Sequence, residues 1–174
     1  MNTITLKKID TGIGSFIAGV FENKLCLFDF EDRRYIHKIL NKKSKQFDAN
    51  IEYGDDPLFS QLETEIEEYL SNERKEFTLP LDIRGTPFQL KVWNELRKIP
   101  YGQTISYSEI AERIDNPNAV RGVGRANGDN NFAIIIPCHR VIDKNGDLRG
   151  YGGGLDRKKK LLNLENQSKL TSFF

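Results

Sequence analysis

The chain has 174 residues, of which 38% are hydrophobic and 29% are charged, a composition typical of a folded globular protein and not of a disordered one. No apolar stretch is long enough to span a bilayer, the N-terminus lacks the apolar segment of a signal peptide, and two cysteines are too few for a disulfide framework. We therefore expect no membrane partner and a location in the reducing cytoplasm.

The net charge of +1 conceals an uneven distribution along the chain. Residues 1–83 contain 11 basic and 16 acidic side chains, a net charge of −5, whereas residues 84–174 contain 15 and 9, a net charge of +6. This asymmetry predicts two domains, 1–83 and 84–174, of which only the second meets a polyanion. Charge alone does not distinguish this interpretation from chance clustering.

The first half has the pattern of a small α/β domain. Apolar residues with strand or helix spacing predict two strands (15–21 and 25–30), two helices (35–40 and 58–70) and a further strand (77–82). Pro80 places this last strand at a sheet edge, because proline cannot donate a ladder hydrogen bond. Cys26 alternates with apolar residues inside its strand, and we interpret it as a core residue.

The second half is predicted to be mainly helical. Residues 86–89 are typical of a helix start, with Thr86 as the N-cap and Pro87 in the first turn. A second helix starts at Ser106, and a third ends near Asn127. Two short helices joined by a tight turn in a basic region indicate a helix-turn-helix. An apolar strand over 132–136 and a last helix over 155–165 complete the prediction.

Cys138 is the residue most suited to chemistry. The predicted strand ends at Pro137, where the chain must turn and present Cys138, and the next two residues are His139 and Arg140. A nearby base and positive charge favour the nucleophilic thiolate of a cysteine. Because adjacent side chains of an extended chain point to opposite sides, we expect His139 to act through a water, with Glu165 as a candidate acceptor for its other ring nitrogen.

Several ordered segments resemble one protein family, the O6-alkylguanine-DNA alkyltransferases, or methylated-DNA–protein-cysteine methyltransferases. Pro137–Val141 resembles their active-site signature, and further segments match in order over about residues 84–165: 85–93, 99–102, 106–107, 116–124, 150–154, and 161–162 followed by Glu165. The first half resembles the family's variable N-terminal domain only loosely. The resemblance implies an α/β (α+β) protein: a ribonuclease H-like domain with an antiparallel sheet and helices, then a winged helix-turn-helix domain.

The resemblance implies direct, single-use repair of alkylated DNA. Cys138 would attack the alkyl carbon of O6-alkylguanine, with O4-methylthymine as a further candidate, in a base flipped out of the duplex. The thioether product resists hydrolysis, so one protein would be consumed for each lesion. Glu165, His139 and a water would form the relay that yields the thiolate. Tyr107 would contact the flipped base and the adjoining phosphate and assist departure of guanine.

The same resemblance assigns a brace and a DNA-contacting helix. Asn130 would brace the reactive segment, with the neighbouring Asn131 as an alternative. Arg121 would fill the gap that the flipped base leaves in the stack, whereas Arg125 is explained equally well as a solvated arginine. Ala119 and Gly122 would allow this helix to approach a deformed minor groove closely.

Residues 150–154 lack the Gly-Lys-Ser/Thr of a phosphate loop, so we interpret them as a wall of the base pocket. The predicted pocket residues are Pro137, Tyr151, Gly152 and Gly153. Residues 158–160 are three lysines, interpreted as a solvated helix face.

Cys26 and His37 alone cannot close a tetrahedral zinc site in the first half, so we predict no metal and no cofactor. The predicted partner is double-stranded DNA that contains alkylated guanine, bound by a monomer. Two alternatives predict different behaviour. A non-catalytic lesion sensor would lack the reactive cysteine, and a transcription regulator would bind undamaged DNA sequence-selectively.

Overall fold

The computed structural model describes residues 2–171, with side chains up to residue 166. Residues 172–174, which fall in the predicted second domain, lie outside the described residues. The chain divides into two compact units, Met1–Arg84 and Gly85–Phe174. Within the described part, no helix has the length and apolar character needed to cross a membrane.

The first unit is built on a four-stranded sheet. Its strands are β1 (Thr3–Thr11), β2 (Gly14–Phe21), β3 (Lys24–Phe30) and β4 (Asn50–Tyr53), in the spatial order β3-β2-β1-β4. Glu22 and Asn23, with φ of 46° and 65°, form the tight turn between β2 and β3, as a two-residue hairpin turn requires. Strands β1 to β3 are antiparallel neighbours, whereas β4 runs parallel to β1.

Two helices complete this unit, α1 (Ile36–Phe47) and α2 (Pro57–Leu70). Asp56 caps α2 by accepting a hydrogen bond from the backbone N–H of Leu58 at 2.8 Å. The helix α1 packs its Phe47 end into a core of sheet residues, namely Ile4, Leu6, Ile17, Phe21, Cys26 and Leu27. Cys26 is fully buried, which confirms its interpretation as a core residue.

The prediction for residues 77–82 is wrong. The segment forms a single bridge, between Leu81 and Leu25, and no strand. Leu25 donates to the Pro80 carbonyl at 2.8 Å and accepts from Asp82 N–H at 2.8 Å. Because Pro80 has no N–H to donate, the pairing with the edge strand β3 does not extend. Strands β1 and β4 were not predicted, whereas β2, β3 and both helices were.

Over its described residues, the second unit contains four helices, α3 (Pro87–Arg97), α4 (Tyr107–Arg113), α5 (Val120–Gly128) and α6 (Leu155–Thr171). Two short strands, β5 (Ile105–Ser106) and β6 (Val141–Ile142), are parallel. Thr86 and Gln89 form the predicted capping box at the start of α3, and the Ser106 hydroxyl caps α4. Helices α4 and α5 form the predicted helix-turn-helix, and the chain has the predicted fold class, an α/β domain followed by a helical one.

The strand predicted over 132–136 is absent, and consecutive tight turns take its place. The backbone N–H of Ile136 bonds to the Phe132 carbonyl at 2.9 Å, and Ile134 has a φ of 69°, which is unusual for a β-branched residue. Asn130 replaces the missing sheet partner: its side chain accepts from Phe132 N–H at 2.9 Å and donates to the Ile136 carbonyl at 2.9 Å. The buried backbone is thereby satisfied without a ladder.

Candidate active site

Cys138 begins a single 3-10 turn, Cys138–Arg140, immediately after the 132–136 turns. Its side chain is buried with 6% exposure, and its N–H donates to the Ile136 carbonyl at 2.7 Å. The carbonyl of Cys138 accepts a long hydrogen bond, at 3.4 Å, from the side-chain amide of Asn127. Hydrogen bonds to its N–H and its carbonyl therefore hold the backbone of Cys138 on both sides. The Asn130 side chain holds the segment just before it.

The 3-10 turn directs His139 and Arg140 to one carboxylate. His139 Nε2 lies 2.6 Å from Glu165 Oε2, and Arg140 donates to Glu165 Oε1 from Nε at 2.8 Å. Glu165 also accepts the backbone N–H of Gly102 at 3.1 Å. All three side chains are buried, so the ion pair is shielded from water.

The electrostatics of this triad keep the carboxylate charged and the imidazole neutral. Burial alone would raise the pKa of Glu165, but the hydrogen bonds from His139 and Arg140 and the charge of the guanidinium outweigh it and hold the pKa far below its usual range. Burial is also the largest effect on His139 and lowers its pKa, although Glu165 opposes this shift. The neutral imidazole donates Nε2–H to Glu165, which leaves Nδ1 as a lone-pair acceptor. Among the described residues, Nδ1 has no hydrogen-bond partner.

Tyr107 and Lys158 converge on the backbone of the predicted pocket wall. Tyr107, at the start of α4, donates its hydroxyl to the Arg149 carbonyl at 3.0 Å. Lys158 Nζ donates to the same carbonyl at 2.7 Å and to that of Gly150 at 3.3 Å. Burial and the negative charge of a Cys138 thiolate raise the pKa of Tyr107.

Lys158 departs from its interpretation as a solvated side chain. It is fully buried, whereas Lys159 and Lys160 are exposed as expected. Burial lowers the pKa of Lys158 to about 8, although the charges of Cys138 and Asp143 act in the opposite direction. The sequence contained one signal of this position: Lys158 lies three residues before the buried Leu161, one helical turn away on the same face of α6.

The predicted DNA-contacting residues lie on and before α5. Arg121 and Arg125 are exposed, and Ala119 immediately precedes the helix and is partly buried. Gly122 has a packing role within the unit, because an added Cβ would lie 3.1 Å from the Phe88 ring of α3. Trp93 of α3 also holds α5 in place, because its indole N–H donates a hydrogen bond to the Ala126 carbonyl at 2.8 Å.

The predicted pocket wall follows β6. Pro137 is buried and caps the 3-10 turn, while Tyr151, Gly152 and Gly153 are partly buried before α6. Gly150 and Gly154 have φ of 45° and 91°, a conformation in which side chains are strained. No group of three His, Cys, Asp or Glu side chains within the described part of the chain is placed to hold a metal ion.

Three further residues reach this site in the structure. Arg140, predicted only as a nearby charge, is the second partner of Glu165 and also donates to the Ile99 carbonyl at 2.7 Å. Asn127 and Lys158 contact the backbone of the site from α5 and α6. Each of these contacts joins a helix or the 3-10 turn to another segment of the chain, so local pattern alone does not identify it.

Two family models match the chain in order. Residues 8–83 match the ribonuclease-like domain of 6-O-methylguanine DNA methyltransferase, and residues 87–167 match its DNA binding domain. The inducible methylated-DNA–protein-cysteine methyltransferase of Bacillus subtilis is 48% identical over 145 residues, which cover 83% of this chain and 81% of that protein. The chain belongs to the family of methylated-DNA–protein-cysteine methyltransferases.

Solved structures have the same fold. The O6-methylguanine methyltransferase of Mycobacterium tuberculosis superposes with a TM-score of 0.80 at 39% identity, covering 100% of both chains. The structure of Mycobacterium tuberculosis OGT in complex with DNA gives a TM-score of 0.79 at 39% identity, covering 99% of both. These likenesses extend over both units.

Proposed function

We propose that the protein reverses alkylation damage in duplex DNA by transferring the alkyl group to Cys138 in one irreversible turnover. The observation that carries this proposal is the buried arrangement of Cys138 beside the His139–Glu165 pair, with 2.6 Å between Nε2 and Oε2. The substrate is O6-alkylguanine, with O4-methylthymine as a further candidate. A new S–C bond forms at Cys138 as the bond between the alkyl carbon and O6 breaks.

The proton leaves Cys138 through His139. Glu165 binds Nε2–H, so Nδ1 is the basic nitrogen, and a water between Nδ1 and the thiol carries the proton. The buried Glu165 carboxylate then stabilises the imidazolium. Arg140 keeps that carboxylate charged and oriented, and is therefore a positioning residue and not a catalytic one.

Guanine leaves as its O6 regains carbonyl character, and its ring must gain a proton. We assign this first proton to the phenol of Tyr107, which is protonated at neutral pH, although burial raises its pKa and so makes it a weaker acid. Its hydroxyl already points to the Arg149 carbonyl, at the edge of the proposed pocket formed by Pro137, Tyr151, Gly152 and Gly153. Asn130 holds the segment before Cys138 and so fixes where the thiol lies.

DNA binds through α5. Arg121 is exposed and enters the base stack where the damaged nucleotide has left it, which recovers part of the unstacking cost of a few kcal/mol. Ala119 presents a small side chain at the start of the helix for approach through a deformed minor groove, and Arg125 adds a contact with a phosphate. Gly122, whose Cβ direction faces the Phe88 ring, instead lets α5 pack closely against α3. The protein acts as a monomer and without a cofactor.

Intact mass measurement tests the proposal. Wild-type protein mixed with excess duplex DNA that contains O6-methylguanine should gain the mass of one methyl group, and peptide mapping should place it on Cys138. Cys138→Ala should gain none and still bind the duplex. Cys26 provides an internal control, because burial raises the pKa of its thiol to about 12 and leaves it unreactive. Absence of methyl transfer, or a methyl group on Cys26, would refute the proposal.

A further inference from the structure

The acidic first unit contains one strongly basic segment. Residues 33–47 include six Lys or Arg and no Asp or Glu, whereas the remainder of residues 1–83 has five basic and sixteen acidic side chains. The net charge of −5 for residues 1–83 is therefore an average over two unlike regions. The expectation that only the second half meets a polyanion depended on that average.

Three of the six cations, Lys38, Lys42 and Lys45, lie on the outer face of α1, and the exposed Arg34 lies just before the helix. The exposed residues have helical spacing, while Ile39, Leu40, Lys43 and Phe47 turn toward the sheet. Ion pairs recorded for the described residues include Arg33 with Asp29, but none involves the exposed cations of this face. We call these exposed residues the basic face: Arg34, Tyr35, His37, Lys38, Asn41, Lys42 and Lys45.

The clustering of cations on the basic face is electrostatically unfavourable in the free protein. Cations surround the N-terminal end of α1, where the helix dipole favours anions, and no acidic residue lies in the first turn. Lys38 and Lys42 are four residues apart, a spacing at which like charges repel. Packing does not account for these exposed side chains, whereas an anionic partner would convert each unfavourable interaction into a favourable one.

Tyr35 orders the cations at the start of this face. Its ring is 56% exposed, and both the Arg34 guanidinium carbon and Lys38 Nζ lie 4.8 Å from the ring centroid. Tyr35 also has a φ of 64°, an uncommon conformation for a bulky residue. Stacking restricts two long side chains before binding, which reduces the entropy that they lose on contact with a ligand.

We propose that the basic face is a second DNA-binding surface, which contacts backbone phosphates of duplex DNA outside the lesion. The proposal rests on the proposed function for the identity of its partner. Lysine binds phosphate as a point charge, and these lysines recur at about one helical turn, roughly 5.4 Å apart. Protein interfaces and helices that insert into membranes are rich in exposed apolar residues, and Tyr35 is the one large apolar side chain among the seven, which favours a polyanion in solution.

The salt dependence of DNA binding tests this surface. Lys38→Gln/Lys42→Gln is compared with Lys24→Gln/Lys75→Gln, which removes the same charge from exposed positions elsewhere in the unit. Both are prepared with Cys138→Ser, so that no transfer occurs, and binding to a duplex with one O6-methylguanine is measured at several salt concentrations. The slope of log K against log salt should fall by about 0.9 for each lost phosphate contact in the first variant, and remain at the wild-type value in the control.

Equal slopes for the two double variants would overturn the proposal. Circular dichroism spectra that match wild type establish that α1 is intact in both. Methyl transfer by the protein with Cys138 present is measured in parallel. If that transfer is absent, the proposed function fails whatever the slopes. If transfer occurs but the slopes are equal, only the second surface fails.

Discussion

His139 Nε2 and Glu165 Oε2 are 2.6 Å apart, although the two residues lie on different elements and are 26 positions apart in the chain. The contact depends on the 3-10 turn. Neighbouring side chains of a strand would diverge, whereas this turn allows His139 and Arg140 to reach the same carboxylate. One buried acid thus sets the tautomer of the base and neutralises the adjacent guanidinium.

Glu165→Gln should slow methyl transfer by about 100-fold or more, because the amide cannot stabilise the imidazolium or impose the productive tautomer. The measurement is a single-turnover time course with excess methylated duplex. Binding of the duplex should be retained, since Glu165 is buried and remote from solvent. Glu95→Gln, which breaks the Lys98–Glu95 ion pair, is the control and should react at the wild-type rate. An unchanged rate in Glu165→Gln would contradict the relay.

The pKa of His139 predicts how stability depends on pH. The folded-state pKa is lowered from 6.5, so below that value the unfolded chain binds a proton that the folded protein does not. The free energy of unfolding should therefore fall as the pH drops from about 7 to 5. Glu165, whose pKa is also lowered, adds a further loss below its ordinary value of 4.5.

Urea titrations at several pH values measure this dependence. His139→Asn should flatten the decline between about pH 7 and 5, whereas His37→Asn, at an exposed position, should retain it. A decline that is equally steep in both variants would show that His139 is not its source.

Arg121→Ala should weaken binding to lesion-containing duplex by about tenfold or more, since the extruded base then leaves an unfilled gap costing on the order of 1–2 kcal/mol. Arg121→Lys should rescue little, because an ammonium does not stack as a planar guanidinium does. Arg125→Ala, on the same helix and equally exposed, is the matched variant and should show the smaller effect. Fluorescence anisotropy with matched damaged and undamaged duplexes provides the measurement. Equal losses for the two alanine variants would assign both arginines to phosphate contact.

The helix starts and the reactive tripeptide could be predicted because their information is local. Thr86 with Gln89 forms the expected capping box, and Pro137 is indeed followed by a turn. The 132–136 strand could not be distinguished from compact turns, because an uninterrupted apolar run has no periodicity. Its backbone is satisfied by the Asn130 side chain, a contact that no strand pattern contains.

The missed residues depended on long-range geometry. The pattern of β1 is weak because Lys8 stands where the alternation of the buried Ile4 and Leu6 calls for an apolar residue. Lys158 could not be separated from Lys159 and Lys160 by composition. Of the three, only Lys158 lies on the face of α6 that is directed toward the Arg149 and Gly150 carbonyls.

Lys158→Met should reduce the rate of methyl transfer by roughly tenfold or more while leaving the fold intact. The variant removes the two hydrogen bonds that hold the Arg149 and Gly150 carbonyls, so the proposed pocket wall loosens beside Cys138. It also removes a buried charge. These effects oppose each other, and the free energy of unfolding should change by only about 1 kcal/mol at neutral pH.

The pH dependence of stability distinguishes this role of Lys158 from a general loss of packing. Its folded-state pKa is lowered from 10.5 to about 8, so between these values the unfolded chain holds a proton that the folded protein has released. Wild type should therefore gain stability relative to Lys158→Met as the pH rises above about 8. Lys159→Met, at the exposed neighbouring position, should match wild type in both transfer rate and pH dependence. If Lys158→Met and Lys159→Met behave alike, the buried lysine does not support the pocket wall.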